Sequence, residues 1–318
     1  VNESALLPSL PSTGVRPTAL PIFAASVTIV LWASAFVGVR IAGDGYSPGA
    51  LAFGRQLVGA AMLTVFVVVR AARTRQAIRL PRGRVAFAVL AWGGAWFGFY
   101  NLALNFAEQH LDAGTTSFLV NLAPVLIGVL AATFLGEALT PRLVIGLGVS
   151  LTGVAVIAVS NGSGRGDLVG VIAGLAAAIL YAGSATAQKR LLVQVDPLLL
   201  TWLGCVGGVV VCAPFAGGLF HEVMTASPRA TWSVVYLGVF PTAVAFVTWG
   251  YALARSRVGG LAAVTYVIPA LVVALSWLLL GEVPGVVTLV GGALCLAGVG
   301  FAMRRRLRQP PAVAQRDG

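Results

Sequence analysis

Arg55 stands well inside an apolar stretch of this 318-residue chain. A guanidinium in that setting can grip a carboxylate through two parallel hydrogen bonds. The structural alternatives are a salt bridge to Glu108, Asp112 or Glu282, or snorkelling outward. Asn121 and Tyr266 each stand three residues before a proline, Pro124 and Pro269. A proline inside a helix withholds one donor, here freeing the carbonyls of Val120 and Thr265. Such kinks face protein or a wet cavity rather than lipid. Asn121, with Ser117 on its face, and Tyr266 therefore either bond a neighbouring helix or meet a ligand in that cavity. Tyr181, Ser184 and Gln188 form a second polar stripe at spacings of three and four. A third set lies on one helix, where Trp92, Trp96 and Tyr100 follow every four residues while Asn101 and Asn105 lie well round the axis. The asparagines should point inward. The aromatic stripe packs or meets lipid, although Trp96 and Tyr100 could wall an apolar ligand. Enzyme chemistry finds no purchase: the chain has no HExxH, no P-loop and no cysteine–histidine cluster, so no cofactor or metal is expected.

The elements that must position these residues are membrane helices. Hydrophobic residues make up 58% and charged residues 10% of the chain, against about 25% charged in a soluble domain. A span needs about 20 apolar residues, so ten of them use nearly the whole length. The spacing predicts helices at 20–42, 47–72, 84–107, 111–135, 139–160, 167–190, 197–220, 230–254, 258–281 and 283–303. Nothing alternates with the period of a barrel strand, so the fold is all-α. Arg55 falls about 12 Å below one end of span 2, at 1.5 Å per residue.

The net charge of +11 would suggest nucleic acid in a soluble protein, but its placement points to topology instead. Arginines and lysine crowd at Arg70–Arg84, Lys189-Arg190, Arg255/Arg257 and Arg304–Arg308, all on one side if the N-terminus is cytoplasmic. Asp44, Glu108, Asp112, Asp167, Glu222 and Glu282 fall on the other. Residues 1–19 and 304–318 read as cytoplasmic tails, the second basic. The three cysteines lie in apolar segments and outline no disulfide framework.

The second five spans repeat the first five. Pro124…Gly136-Glu137 recurs as Pro269…Gly281-Glu282 at a displacement of 145, as do Gly146/Gly291 and Gly153/Gly298. In the first two spans of each half the displacement is 149, pairing Trp32 with Tyr181, Arg40 with Lys189, Pro48 with Pro197 and Arg55 with Gly204. Repeats 20–160 and 167–303, each with five spans, must face opposite ways in the bilayer. Inverted repeats of this kind build secondary transporters, whose site lies where the halves meet.

Leu31-Trp32-Ala33-Ser34-Ala35-Phe36-Val37, followed by Pro48 and Arg55, together with the paired Pro…Gly-Glu signatures, resembles the EamA-type, ten-span members of the drug/metabolite transporter superfamily. The resemblance covers about residues 20–303. It implies export or exchange of small metabolites such as amino acids or drug-like solutes across the plasma membrane, and a cavity among spans 1, 3, 4, 6, 8 and 9.

Small-molecule substrate and lipid are the expected partners. The glycine pairs Gly94/Gly98, Gly170/Gly174 and Gly204/Gly208 suit close helix contacts inside the bundle and would also suit a homodimer. Glu137 and Glu282 close spans 4 and 9, where the helix dipole does not favour a carboxylate. They either cap the next helix or form gates, Glu137 inside and Glu282 outside. No carboxylate occupies the middle third of a span, which favours uncoupled or exchange transport over a central proton relay, with proton coupling through rim groups such as Glu108 as the alternative. The competing reading is a passive channel or facilitator.

Overall fold

The computed structural model describes residues 19–303 apart from 76, 79, 136–139, 161–164 and 256–264. The described chain is helical, and the helices pass back and forth across the bilayer. In order they are α1 (Ala19–Gly43), α2 (Pro48–Thr74), α3 (Gly83–Gly93, Gly94–Phe99 and Tyr100–His110) and α4 (Ala113–Val120 and Ala123–Leu135). Next come α5 (Pro141–Ser160), α6 (Arg165–Leu191) and α7 (Pro197–Cys212, a short turn, then Ala216–Thr225). The last are α8 (Pro228–Leu237, Gly238–Val244 and Ala245–Arg255), α9 (Ile268–Leu280) and α10 (Val286–Met303). Eight of the ten are long and apolar enough to span by themselves; α9 and α10 are the shorter pair. The first turns expected of span 9 lie outside the described residues.

Local chemistry fixes the starts. Ser47, Asp196 and Ser227 each cap a helix whose first residue is proline, at Pro48, Pro197 and Pro228. The cap accepts an orphan amide, and proline lacks the amide that would otherwise go unpaired. Asp112 caps α4 by accepting from the Thr115 amide at 2.8 Å. Gly281 ends α9 with a φ of 69°, the left-handed conformation glycine adopts without strain. Large apolar side chains such as Phe87, Val159, Phe220, Trp232 and Leu278 are exposed on the outer surface, as lipid-facing residues must be.

The two halves are inverted five-helix repeats, and their contacts obey a twofold relation. Helix α1 packs on α8 just as α3 packs on α6, while α2 packs on α7 and α5 on α10. Where equivalent helices cross, equivalent residues meet. Ser150 Oγ donates to the carbonyl of Cys295 at 3.0 Å, and these two are 145 apart. Cys205 Sγ donates to the carbonyl of Gln56 at 3.4 Å, and these are 149 apart. The α5–α10 crossing is made by glycines. A Cβ on Gly153 would stand 2.5 Å from the Gly291 carbonyl oxygen, and one on Gly298 would stand 2.5 Å from that of Gly146. The other glycine pairs also serve internal contacts: Gly204 abuts Trp92, Gly208 abuts Phe97 and Gly174 abuts Leu119.

Four distortions shape the interior, in two symmetry-related pairs. Gly94–Phe99 of α3 and Gly238–Val244 of α8 are wide, π-type turns at equivalent positions within one residue. Such turns recur at functional sites because the extra residue rephases the helix. Helix α4 is not merely kinked at Pro124. It stops at Val120, turns through Asn121 and Leu122, and restarts at Ala123. Pro124 and Pro269 accordingly sit at the starts of helices, not in their interiors as the sequence suggested, because the first turn of a helix has no use for the missing donor. The turn Thr265–Val267 before α9 matches the break in α4.

Candidate functional site

A cavity of about 70 Å³ lies at mid-depth where the halves meet. Helices α1, α2, α3, α4, α6 and α8 reach it, together with the start of α9. It has room for a few ordered waters, each of which needs about 10 to 15 Å³ of such space.

Aromatic rings make most of the wall. Phe246 lies at the hub, with ring centroids 5.4 Å from Trp32, 5.6 Å from Trp96 and 4.8 Å from Phe97. Tyr181 stands 5.5 Å from Trp96 and 6.1 Å from Tyr100. These are edge and tilted contacts, the geometry that ring quadrupoles favour.

Sequence spacing put Trp92 and Trp96 on a different face from Asn101, yet all three are buried. The wide turn in α3 explains the difference. Its added residue swings Trp96 and Asn101, five apart, onto the same side, and Asn101 Nδ2 donates to the Trp96 carbonyl at 3.2 Å. Asn101 Oδ1 has no hydrogen-bond partner among the described residues.

Arg55 borders the cavity and is 5% exposed. Its Nε donates to Thr242 Oγ1 at 2.9 Å, and Thr242 in turn donates to the Leu237 carbonyl at 2.8 Å. Nη1 has no partner among the described residues. The salt bridge considered from sequence, to Glu108, Asp112 or Glu282, is not formed, and burial excludes snorkelling. The wide turn in α8 brings a threonine hydroxyl to Arg55 instead, where no carboxylate reaches. An arginine at the centre of a lone membrane helix costs about 2.5 to 3.5 kcal/mol on insertion scales. One hydroxyl is small compensation.

The remaining candidates divide. Asn121 and Pro124 line the cavity, with Asn121 Nδ2 donating to the Ser117 carbonyl at 2.9 Å across the helix break. Tyr266 has its backbone in the turn before α9, and its side chain lies outside the described residues. Ser184 and Gln188 are buried but do not border the cavity, so the polar stripe of α6 contributes only Tyr181. The Ser184 carbonyl accepts from Trp92 Nε1 at 2.9 Å. Asn105 faces a second cavity nearer the acidic face, where Nδ2 donates to the Pro48 carbonyl at 3.2 Å. Pro269 is buried at the head of α9, whose Ile268 touches the central cavity.

Glu282 ties two helices together at the acidic face. Arg40 Nε, near the end of α1, approaches its two carboxylate oxygens at 3.1 and 3.2 Å. Arg40 Nη1 also donates to the main-chain carbonyl of Glu108 at 2.9 Å. Glu137 lies outside the described residues. Glu108, two residues from the end of α3, is at the rim as expected but is only 2% exposed and lines the second cavity.

Phe246, Thr242 and Trp32 were missed as site residues, although the repeat offset points to two of them. Phe246 is the equivalent of Asn101, and Trp32 the equivalent of Tyr181. Pro241, inside α8, was the one sequence sign of the wide turn.

Comparison with known proteins agrees with this architecture. The EamA-like transporter family matches residues 19–159 and again 168–304, one match per repeat. A probable terminal-alkyne amino-acid exporter of Streptantibioticus cattleyicolor is 39% identical over 288 residues, covering 90% of this chain and 94% of that protein. An uncharacterized transporter of Bacillus subtilis is 33% identical over 276 residues, covering 87% of this chain and 88% of its own. A probable amino-acid metabolite efflux pump of Escherichia coli is 23% identical over 285 residues, covering 86% of this chain and 92% of its own. One crystal structure shares the fold at a TM-score of 0.62 and 20% identity, covering 92% of this chain and 99% of that one. The inverted repeats and the family matches agree: the chain belongs to the EamA-like transporter family, a multi-pass membrane transporter of small metabolites and not an enzyme.

Proposed function

We propose that the chain exports or exchanges amino-acid-like metabolites across the plasma membrane by alternating access, with both termini in the cytoplasm. The observation that carries this reading is Arg55, buried at mid-depth on an aromatic cavity with Nη1 unpartnered among the described residues. A free guanidinium donor suits a carboxylate. The rings of Trp32, Trp96 and Phe246 suit an apolar side chain, and Asn101 Oδ1, also unpartnered, suits a donor such as an ammonium. The relative named as a terminal-alkyne amino-acid exporter supports this class of solute. The concentration of arginine on one face supports the orientation.

The inverted repeats support alternation. Arg40 and Glu282 hold the acidic face together, and the repeat gives them the sequence equivalents Lys189 and Glu137. Exchanging the conformations of the halves would break the first pair and make the second. Reconstituted protein loaded with a terminal-alkyne amino acid should show saturable counterflow of the labelled compound. Flux that never saturates and shows no counterflow would mean a channel.

A further inference from the structure

Glu108 is a fully buried carboxylate whose two side-chain oxygens have no hydrogen-bond partner among the described residues. It borders a polar cavity of about 310 Å³ near the acidic face, with Asn105, Arg40, Asp44 and His110. Asn101, Asn105 and Glu108, spaced four and three, share one side of α3. Each carries a buried side-chain oxygen without a partner among the described residues. Buried acceptors are paired in the large majority of cases, so three in a row along one helix call for an explanation. The strip runs from the central cavity, bordered by Asn101, to the outer one, bordered by Asn105 and Glu108.

The charges around Glu108 do not satisfy it. Arg55 on α2, Asp112 at the start of α4 and Glu282 after α9 act on it only through their fields. Tyr100, on its own helix, interacts in the same distant way. Asp44 and His110 share the cavity wall, and α6 presents Gly170 beside His110. Arg40 is the nearest cation and is otherwise engaged: Nε holds Glu282, while Nη1 holds the main chain, not the side chain, of residue 108.

We propose that Glu108 is a proton-binding site, and that its proton decides which of two carboxylates holds Arg40. The inference rests on the transport reading above. With the proton bound, the carboxyl is neutral, Arg40 stays on Glu282, and α1 is latched to the end of α9. When the proton leaves to water in the outer cavity, Glu108 becomes an anion beside a guanidinium that already touches its backbone. Arg40 then shifts to Glu108, and the half-exposed Glu282 is released to solvent. The acidic face opens. A proton binds the closed form better than the open one, so by linkage acid closes this face and alkali opens it.

The test uses the full chain in proteoliposomes with one reporter, Gly43→Cys. Gly43 borders the outer cavity, and a Cβ there meets nothing within 4 Å. Its labelling by a membrane-impermeant maleimide is followed from acidic to alkaline buffer, with and without Glu108→Gln, so that the thiol's own titration cancels in the ratio. With Glu108 present, labelling should rise at least about fivefold more than in Glu108→Gln, the lower end of common coupling strengths. Glu282→Gln, which removes the competing carboxylate, should label fast at every pH. Superimposable curves with and without Glu108, or undiminished pH dependence in Glu282→Gln, would overturn the proposal. Counterflow of a terminal-alkyne amino acid is read in the same vesicles. Its absence alongside pH-dependent labelling would overturn the transport reading and leave the latch standing.

Discussion

Ser150 donates its hydroxyl to the main-chain carbonyl of Cys295 at 3.0 Å, and the two residues are each other's equivalents in the two repeats. A residue can touch its own mate only beside a twofold axis. Cys205 and Gln56 meet in the same way at the α2–α7 crossing, so the axis is marked on both flanks of the central cavity. The halves therefore meet at two seams.

The α5–α10 seam leaves no room for a side chain. Gly153→Val would drive its Cβ against the Gly291 carbonyl, which is backbone and cannot rotate away. Overpacking of this kind costs about 1 to 3 kcal/mol, and the melting temperature in detergent should fall. Gly148, on the same helix, meets nothing within 4 Å. Gly148→Ala should hold the melting temperature or raise it, since alanine favours a helix by up to about 1 kcal/mol over glycine.

Arg55→Lys should behave like a loss and not like a conservative change. Lysine keeps the charge but loses the fork that reaches Thr242 and a carboxylate together. Loss of a hydrogen bond to a charged group costs about 1.5 to 3 kcal/mol, so the apparent KM for an amino acid should rise about tenfold or more in counterflow assays. Esterified amino acids, which lack the carboxylate, should not tell Arg55→Lys from the native protein.

Asn121→Ala and Tyr266→Phe act on equivalent positions beside the two helix breaks. Asn121 has an assigned bond, to the Ser117 carbonyl, so its replacement should loosen the break in α4 as well as raise KM. Tyr266→Phe should change KM. Saturation curves of counterflow check both, and unchanged KM in the two variants would remove this pair from the site.

The Arg40–Glu282 pair is partly solvated, with side chains 36% and 30% exposed. Exposed ion pairs contribute about 0 to 1 kcal/mol, so Arg40→Ala should barely move the melting temperature. It should instead shift the balance between the two transport states. A spin-label pair across the acidic face should report a larger open population.

The fold was legible because lipid enforces it. Every span must satisfy its own backbone, so apolar length alone located ten helices, and matched Pro, Gly and Glu exposed the duplication. Helix phase was harder. Counting by threes and fours put Trp96 and Asn101 on different sides, and a single wide turn overturned that count. Pro241 was the available warning in α8, whereas α3 offered only glycines. The partner of Arg55 was invisible for the same reason, since Thr242 reaches it from inside the matching turn. Burial of Glu108 was also out of reach. It stands two residues from the end of α3, and only packing by neighbouring helices shuts it away.

Cys205 and Cys295, two of the three free thiols, both lie on the seams where mates touch. The native protein thus carries its own chemical reporters of any parting of the halves. A small, membrane-permeant alkylating reagent would find both sulfurs sealed while the seams hold, and would mark whichever seam yields first during a transport cycle.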